Sequence, residues 1–209
     1  MKPSSFLPAE MKALSGLSML YALRMLGLFM VLPILALYSA HLGHATPTLI
    51  GIALGIYGLT QAVLQIPFGM LSDRLGRKPI IIVGLLILLL GSVIAAESTS
   101  LYGIILGRAL QGAGAISGVI MALLADQTRE EVRTKAMAIV GMSIGIAIGA
   151  SMVVGPIIAH HFGLSGVFFT TAVMAVLGLF VIVFLVPSSP VRSHKDVGMD
   201  LRQLAGTLR

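Results

Sequence analysis

The sequence predicts an all-α membrane protein built as a bundle of six transmembrane helices. Three observations carry that expectation. The chain is 57% hydrophobic and 11% charged, with a mean hydropathy of +1.01, whereas a soluble domain carries about 25% charged and about 45–50% apolar residues. Six apolar runs follow one another, each long enough to cross a hydrocarbon core of about 30 Å at about 1.5 Å per residue. The basic residues fall on alternate connections between those runs, as the positive-inside rule requires.

The runs are Gly16–Tyr38, Thr48–Leu71, Pro79–Ala96, Leu101–Ala125, Lys135–Ala159 and Leu164–Val186. They are apolar nearly all round, which suits bundle or lipid-facing helices and not short strands. Breakers punctuate the connections: Gly43 and Pro47, Gly76 and Pro79, Gly163 and Gly166. Residues 1–190 form the expected six-helix domain, and 191–209 the start of a cytoplasmic connector whose Met199–Leu208 stretch is amphipathic.

Span one carries Arg24 and span four carries Arg108. A charge at mid-membrane costs about 2.5–3.5 kcal/mol on insertion scales, so such residues face a bundle interior, a wet cavity or the nearer interface. Both the cavity and the interface stay open for Arg24. Arg108 has Gln111 one helical turn later on the same face, which favours a cavity. Span two adds a polar stripe, with Tyr57, Gln61, Gln65, Gly69 and Asp73 every fourth residue. The glutamines serve either as interhelical hydrogen bonds or as substrate contacts.

The connection after span two is the densest in charge. Gly69-Met-Leu-Ser-Asp73-Arg74-Leu-Gly76-Arg77-Lys78 is expected to be a tight charged loop. The connection after span four supplies Asp126, Arg129, Glu130, Glu131 and Arg133 on the same membrane side. The other twelve of the 14 Lys and Arg are Lys2, Lys12, Arg74, Arg77, Lys78, Arg129, Arg133, Lys135, Arg192, Lys195, Arg202 and Arg209. They place both termini and these two connections in the cytoplasm. His41, His44, His160 and His161 then fall outside.

Span five holds Gly141, Gly145 and Gly149 at intervals of four and then Gly155-Pro156. Small residues at that spacing let another helix come close, and the proline is expected to bend the helix. Arg24 and the Gly-to-Pro stretch of span two parallel Arg108 and that of span five, a faint inverted three-plus-three repeat.

Several functions are excluded or disfavoured. With no cysteine there is no disulfide, thiol chemistry or Cys-based metal site. No metal site is expected at His160-His161, which has no carboxylate nearby, and no span holds a catalytic constellation, so an enzyme is not expected. The formal charge of +6 reflects membrane topology and implies no nucleic-acid partner. Met1–Leu14 does not read as a removable signal peptide. The expected location is a bacterial inner membrane.

Gly69-x-Leu71-Ser72-Asp73-Arg74-x-Gly76-Arg77-Lys78 resembles, without a gap, the loop 2–3 signature of the major facilitator superfamily. Arg108-Ala-Leu-Gln111-Gly112-Ala-Gly114 resembles the span-four signature of its proton-coupled members. The glycine series ending at Gly155-Pro156 resembles the span-five antiporter signature, departing from it at Ala159 and His160, where a glycine pair is common. The stretch from Leu23 to Pro79 is especially similar to YajR-type drug:proton antiporters. The resemblance implies a transporter of two six-helix bundles around a central cavity, with a proton gradient as energy source and no other cofactor. It implies that Asp73, Arg77 and Asp126 form a cytoplasmic charge group stabilising the outward-open state, and that Arg108 takes part in proton coupling.

Two departures qualify those implications. The family has about twelve spans and this chain six, so it is expected to be the N-terminal half of a transporter, as a fragment, a truncated reading frame or a half that pairs with a second six-helix half, or else a truncated or half-size subunit that does not transport alone. No acid is central in a span: the eight are Glu10, Asp73, Glu97, Asp126, Glu130, Glu131, Asp196 and Asp200. The titrating carboxylate is therefore expected in the second half, or coupling is weak here, with Glu97 as the native fallback. The expected cargo is a small lipophilic or drug-like compound, although Arg24 and Arg108 equally suit an anion.

Overall fold

A computed structural model describes residues 5–38 and 46–187; the connector at 191–209 with its Met199–Leu208 stretch, and His41, Gly43 and His44, lie outside the described residues. Every regular element among the described residues is a helix.

Helix α1 spans Pro8–Tyr38 and starts ahead of its apolar run. Proline at the first helical position suits a helix start. Glu10 reaches back to accept from the Leu7 amide at 2.8 Å, as an acidic residue in the third position of a capping box does. Helix α2 spans Pro47–Leu75, with Thr46 as its cap accepting from the Leu49 amide at 3.2 Å. Helix α3 spans Arg77–Glu97. The segment expected to be a charged loop is thus the last turns of α2 and the first of α3. Gly76 alone joins them, at φ 96° and ψ 150°, a backbone conformation that only glycine adopts without strain. The charged residues are polar enough to leave the hydrocarbon, but nothing in them ends a helix until that glycine.

Span four is two helices, α4 (Leu101–Ala113) and α5 (Ser117–Asp126). The break at Gly114–Ile116 falls where neighbours press hardest. A side chain on Gly112 would collide with the Tyr57 carbonyl and Thr60 hydroxyl of α2, and one on Gly114 with the Gly84 carbonyl of α3. The same closeness continues along the α3–α4 seam, where a Cβ on Gly91 would lie 2.6 Å from the Gly107 carbonyl oxygen.

Spans five and six form one helical stretch, α6 (Glu130–Phe180), continued by a π-helical turn at Val181–Leu185. Counted by length and apolarity, five stretches among the described residues can cross a membrane, because this last one contains 56 residues. Its backbone turns at Gly163, φ 66°. Contacts with α1 show what the turn does. Ser143 donates to the Ser18 carbonyl and Tyr38 to the Ala159 carbonyl, so the first arm rises with α1. Thr171 donates to the Gly27 carbonyl and Gly16 meets Leu185 and Val186, so the second arm runs back. The dihedrals stay helical through Pro156, so the helix runs on unbroken past that proline.

The core has two apolar layers. One gathers Leu17, Leu20, Ile81, Leu85, Ile120 and Val140, and the other gathers Met30, Leu35, Ile104, Val167 and Phe168. Along each helix the buried polar residues Arg24, Ser92, Arg108, Gln111, Ser151 and Thr171 lie between these layers. They form a polar belt at mid-bundle.

The glycines spaced by four in span five do not build this core. Gly141, Gly145 and Gly149 have nothing within 4 Å of where a side chain would start, as do Gly51, Gly55 and Gly69. Only Gly155 of the span-five series packs, 3.2 Å from the Met30 carbonyl oxygen. The flat faces of α2 and of the first arm of α6 at these glycines are unpartnered among the described residues.

Candidate functional site

The polar belt centres on Tyr57, which α2 turns inward as one of its few buried residues. The Arg108 guanidinium lies over its ring, 4.7 Å from the centroid, a cation–π geometry. Arg24 Nη2 donates to the Tyr57 hydroxyl at 3.2 Å and to the Gly114 carbonyl at 3.3 Å, and Arg24 Nη1 donates to the Ser117 hydroxyl. Arg24 therefore reaches the helix break and does not snorkel to an interface; it is 4% exposed. The break explains its position: Gly114 ends α4, whose carbonyl end carries partial negative charge.

Arg108 is 1% exposed. Its Nη1 donates to Gln111 Oε1 at 3.0 Å and its Nε to the Ala53 carbonyl at 3.4 Å. Gln111 passes the chain on, donating to Ser92 at 2.8 Å, and Ser92 donates to the Leu88 carbonyl at 2.7 Å. Gln61 donates to Ser117 across the helix interface at 3.3 Å, whereas exposed Gln65 only lies beside Gly118. Neither arginine forms an ion pair with a described residue. Arg24 Nε, Arg108 Nη2 and Gln61 Oε1 are buried without a protein partner.

The second group lies at the helix ends. Arg77 joins Asp73 at 2.5 Å, Asp126 at 3.2 Å and the Ser72 hydroxyl at 2.7 Å. One guanidinium thus ties the end of α2 to the end of α5, and Asp73 itself stays 61% exposed. Lys78 turns the other way and donates to the carbonyls of Val183 and Val186, at 3.1 and 2.9 Å. Gln127 donates to the Pro187 carbonyl at 2.7 Å. Arg74 is exposed and stands apart from the Arg77 group.

Arg129 and Arg133 do not join Asp73, contrary to the sequence grouping. Arg129 caps the start of α6 and pairs with Glu10 at 2.9 Å, a contact that its backbone amide doubles at 3.0 Å. Arg133 lies 3.9 Å from Glu130 on its own helix. The physical reason is distance along the rim: the 127–129 turn points Asp126 toward α3 and Arg129 toward α1. Hydrogen bonds from Arg129 hold the Glu10 carboxyl down to about 2, from an ordinary 4.5, against the opposing effect of burial, and they raise Arg129 in turn.

Sequence reasoning missed Glu10, Ser92 and Ser117, and saw Tyr57 only as one of a stripe. The signal for Ser117 was present: Gly112-Ala-Gly-Ala-Ile-Ser-Gly118 is too rich in small residues for an unbroken span. Glu10 carried the spacing of an N-terminal cap but no sign of its distant partner.

Comparison with known proteins gives concordant matches. The profile of the Major Facilitator Superfamily matches residues 17–206. The inner membrane transport protein YajR of Escherichia coli (strain K12) is 57% identical over 182 residues, covering 87% of this chain and 40% of YajR. A tetracycline resistance protein, class B, of Escherichia coli is 30% identical over 135 residues, covering 64% of this chain and 33% of that protein. The chain thus spans less than half the length of these relatives. Among solved structures, the human organic anion transporter MFSD10 (TETRAN) superposes with a TM-score of 0.73 at 18% identity, covering 88% of this chain and 50% of that one; at that identity the likeness speaks for the fold.

Proposed function

This chain is a member of the major facilitator superfamily, and from that premise we propose that it forms the N-terminal half of a secondary active transporter exporting small lipophilic or drug-like compounds. Transport proceeds by alternating access and draws on a proton gradient. Both termini lie in the cytoplasm. The partner is a second six-helix half, and the unpartnered faces of α2 and the first arm of α6 support that reading.

The observation that carries the proposal is Arg77 between Asp73 and Asp126. The pairs are partly exposed, so each contributes at most about 1 kcal/mol. A hold of that size suits a switch, because a small relative shift of α2 and α5 releases it. Exposed Asp73 can exchange Arg77 for a group on the second half. Arg108, buried with one unpartnered donor, supports a role in proton coupling: a carboxylate of the second half would pair with it when ionised and leave when protonated. The acids Glu10, Asp73, Glu97, Asp126, Glu130 and Glu131 all lie at helix ends or beyond, which supports placing that carboxylate outside this chain.

The same unpartnered faces suit a half-size subunit that assembles without transporting alone. Inverted membrane vesicles test both readings. Vesicles holding this chain together with its second half should accumulate a lipophilic dye only while a proton gradient is present. Asp73→Asn and Arg108→Ala should slow that accumulation. Dye uptake indifferent to a protonophore overturns proton coupling, and assembly with the second half without any uptake favours the subunit reading.

A further inference from the structure

We propose that the break in span four is a carboxylate-recognition site, in which Arg24, the Ser117 hydroxyl and the open first turn of α5 receive the carboxylate of an amphipathic organic anion. This names a cargo class for the transporter proposed above and rests on that reading only for the step across the membrane.

Donors outnumber acceptors at this break. Helix α5 begins inside the bundle with no side-chain cap. Its first intrahelical amide bond runs from Ile120 to the Ile116 carbonyl, so the amides of Ser117, Gly118 and Val119 are the orphan donors of a helix start. Ser117 is half-buried and Gly118 exposed, which leaves that turn open on one side. The aligned peptide units add about half a positive charge there.

Arg24 points into the same place. It is 4% exposed, donates to Ser117, Tyr57 and the Gly114 carbonyl, and has an unpartnered Nε. The Ser117 hydroxyl accepts from both Arg24 and Gln61, and the Tyr57 hydroxyl accepts from Arg24. Each hydroxyl therefore keeps its own hydrogen to give. Against these donors stands one unpartnered acceptor, the neutral Gln61 Oε1. A buried guanidinium with surplus donors and no anion is costly in a medium of low dielectric. An incoming carboxylate supplies the missing acceptors, and its two oxygens suit a guanidinium and adjacent N–H and O–H groups. One guanidinium with a helix start matches a single negative charge. Half-buried Leu64 and Phe68 share the face of α2 that carries Tyr57 and Gln61 and suit a hydrophobic remainder.

The test is thermal unfolding of the chain in detergent micelles with salicylate, and with salicylamide as the uncharged counterpart. Salicylate should raise the unfolding temperature saturably and salicylamide should not. Arg24→Gln should abolish the shift. Because Arg24 also caps the α4 carbonyl, that variant can fail to fold, and Ser117→Ala then carries the test with about tenfold weaker apparent binding. Equal shifts from both compounds, no salicylate shift, or an undiminished shift in Ser117→Ala overturns the proposal. A salicylate shift without proton-driven uptake in vesicles leaves the site standing and removes the transport reading; the converse result does the opposite.

Discussion

Arg108 stacks on Tyr57, its guanidinium carbon 4.7 Å from the ring centroid, while the hydroxyl on the edge of that ring accepts from Arg24. A single aromatic side chain thus serves two buried cations, one through its face and the other through its oxygen. That arrangement explains how two arginines share one belt without an acid between them. Each is spread over neutral partners, and the ring quadrupole and backbone carbonyls do part of what a carboxylate would otherwise do, leaving Arg24 Nε and Arg108 Nη2 unpartnered.

Tyr57→Phe keeps the ring and removes the oxygen, so it should cost about 1–3 kcal/mol, the scale of a hydrogen bond from a charged donor. Tyr57→Leu removes both and should cost more, by the further 0.5–2 kcal/mol or so of a cation–π contact. Reversible unfolding of the chain in mixed micelles orders the two. Equal stability of both variants with the parent would remove Tyr57 from the centre of the belt.

Glycine substitutions should separate the inner seams from the outer faces. Gly112→Val drives a branched side chain into the Tyr57 carbonyl and Thr60, an overpacking of about 1–3 kcal/mol or more. Gly145→Val meets nothing within 4 Å in this chain and should leave its unfolding unchanged within about 0.5 kcal/mol. The same Gly145→Val should weaken co-purification with a second six-helix half. Unimpaired pairing would argue that the face meets lipid only.

The Glu10–Arg129 pair gives stability a defined acid limb. The Glu10 carboxyl ionises at about 2 in the fold against an ordinary 4.5, so the folded state binds fewer protons across that interval than the unfolded state. Its contribution is fully present above pH 4.5 and is lost as the pH falls toward 2. Glu10→Gln should flatten the pH dependence of unfolding within that window and leave the profile at higher pH parallel to the parent's. An identical acid limb in Glu10→Gln would show that the pair is not maintained in solution.

The sequence made the class of fold legible because lipid imposes length and apolarity on every span. The limits of the helices were harder to read. Charge at Asp73–Arg77 looks like a loop, yet charged residues propagate a helix well and only Gly76 stops it. Glycine spacing pointed to Gly141, Gly145 and Gly149, whereas the internal seams use Gly91, Gly107 and Gly112. Spacing within a helix marks a flat face but cannot say which neighbour meets it. Arg77 with Asp126 was readable from charge and membrane side, and Arg129 with Glu10 was not, because that contact depends on which way a three-residue turn leaves α5. Tyr57 was hidden for a related reason: a stripe at every fourth residue winds around the helix, and tertiary packing decides which member points inward.

Lys78 gives the chain a mechanical property that no single helix has. By holding the carbonyls of Val183 and Val186, it fastens the exit of the last helix to the start of α3, one residue from Arg77. Tension entering at Pro187 is met by Gln127, which holds the Pro187 carbonyl, and by Lys78, before it reaches the buried belt. Lys78 adjoins Arg77 and Gln127 adjoins Asp126, so the end of the π-helical turn and the tie between α2 and α5 share one load path, and force at Pro187 reaches Arg77 before it can peel α6 from α1.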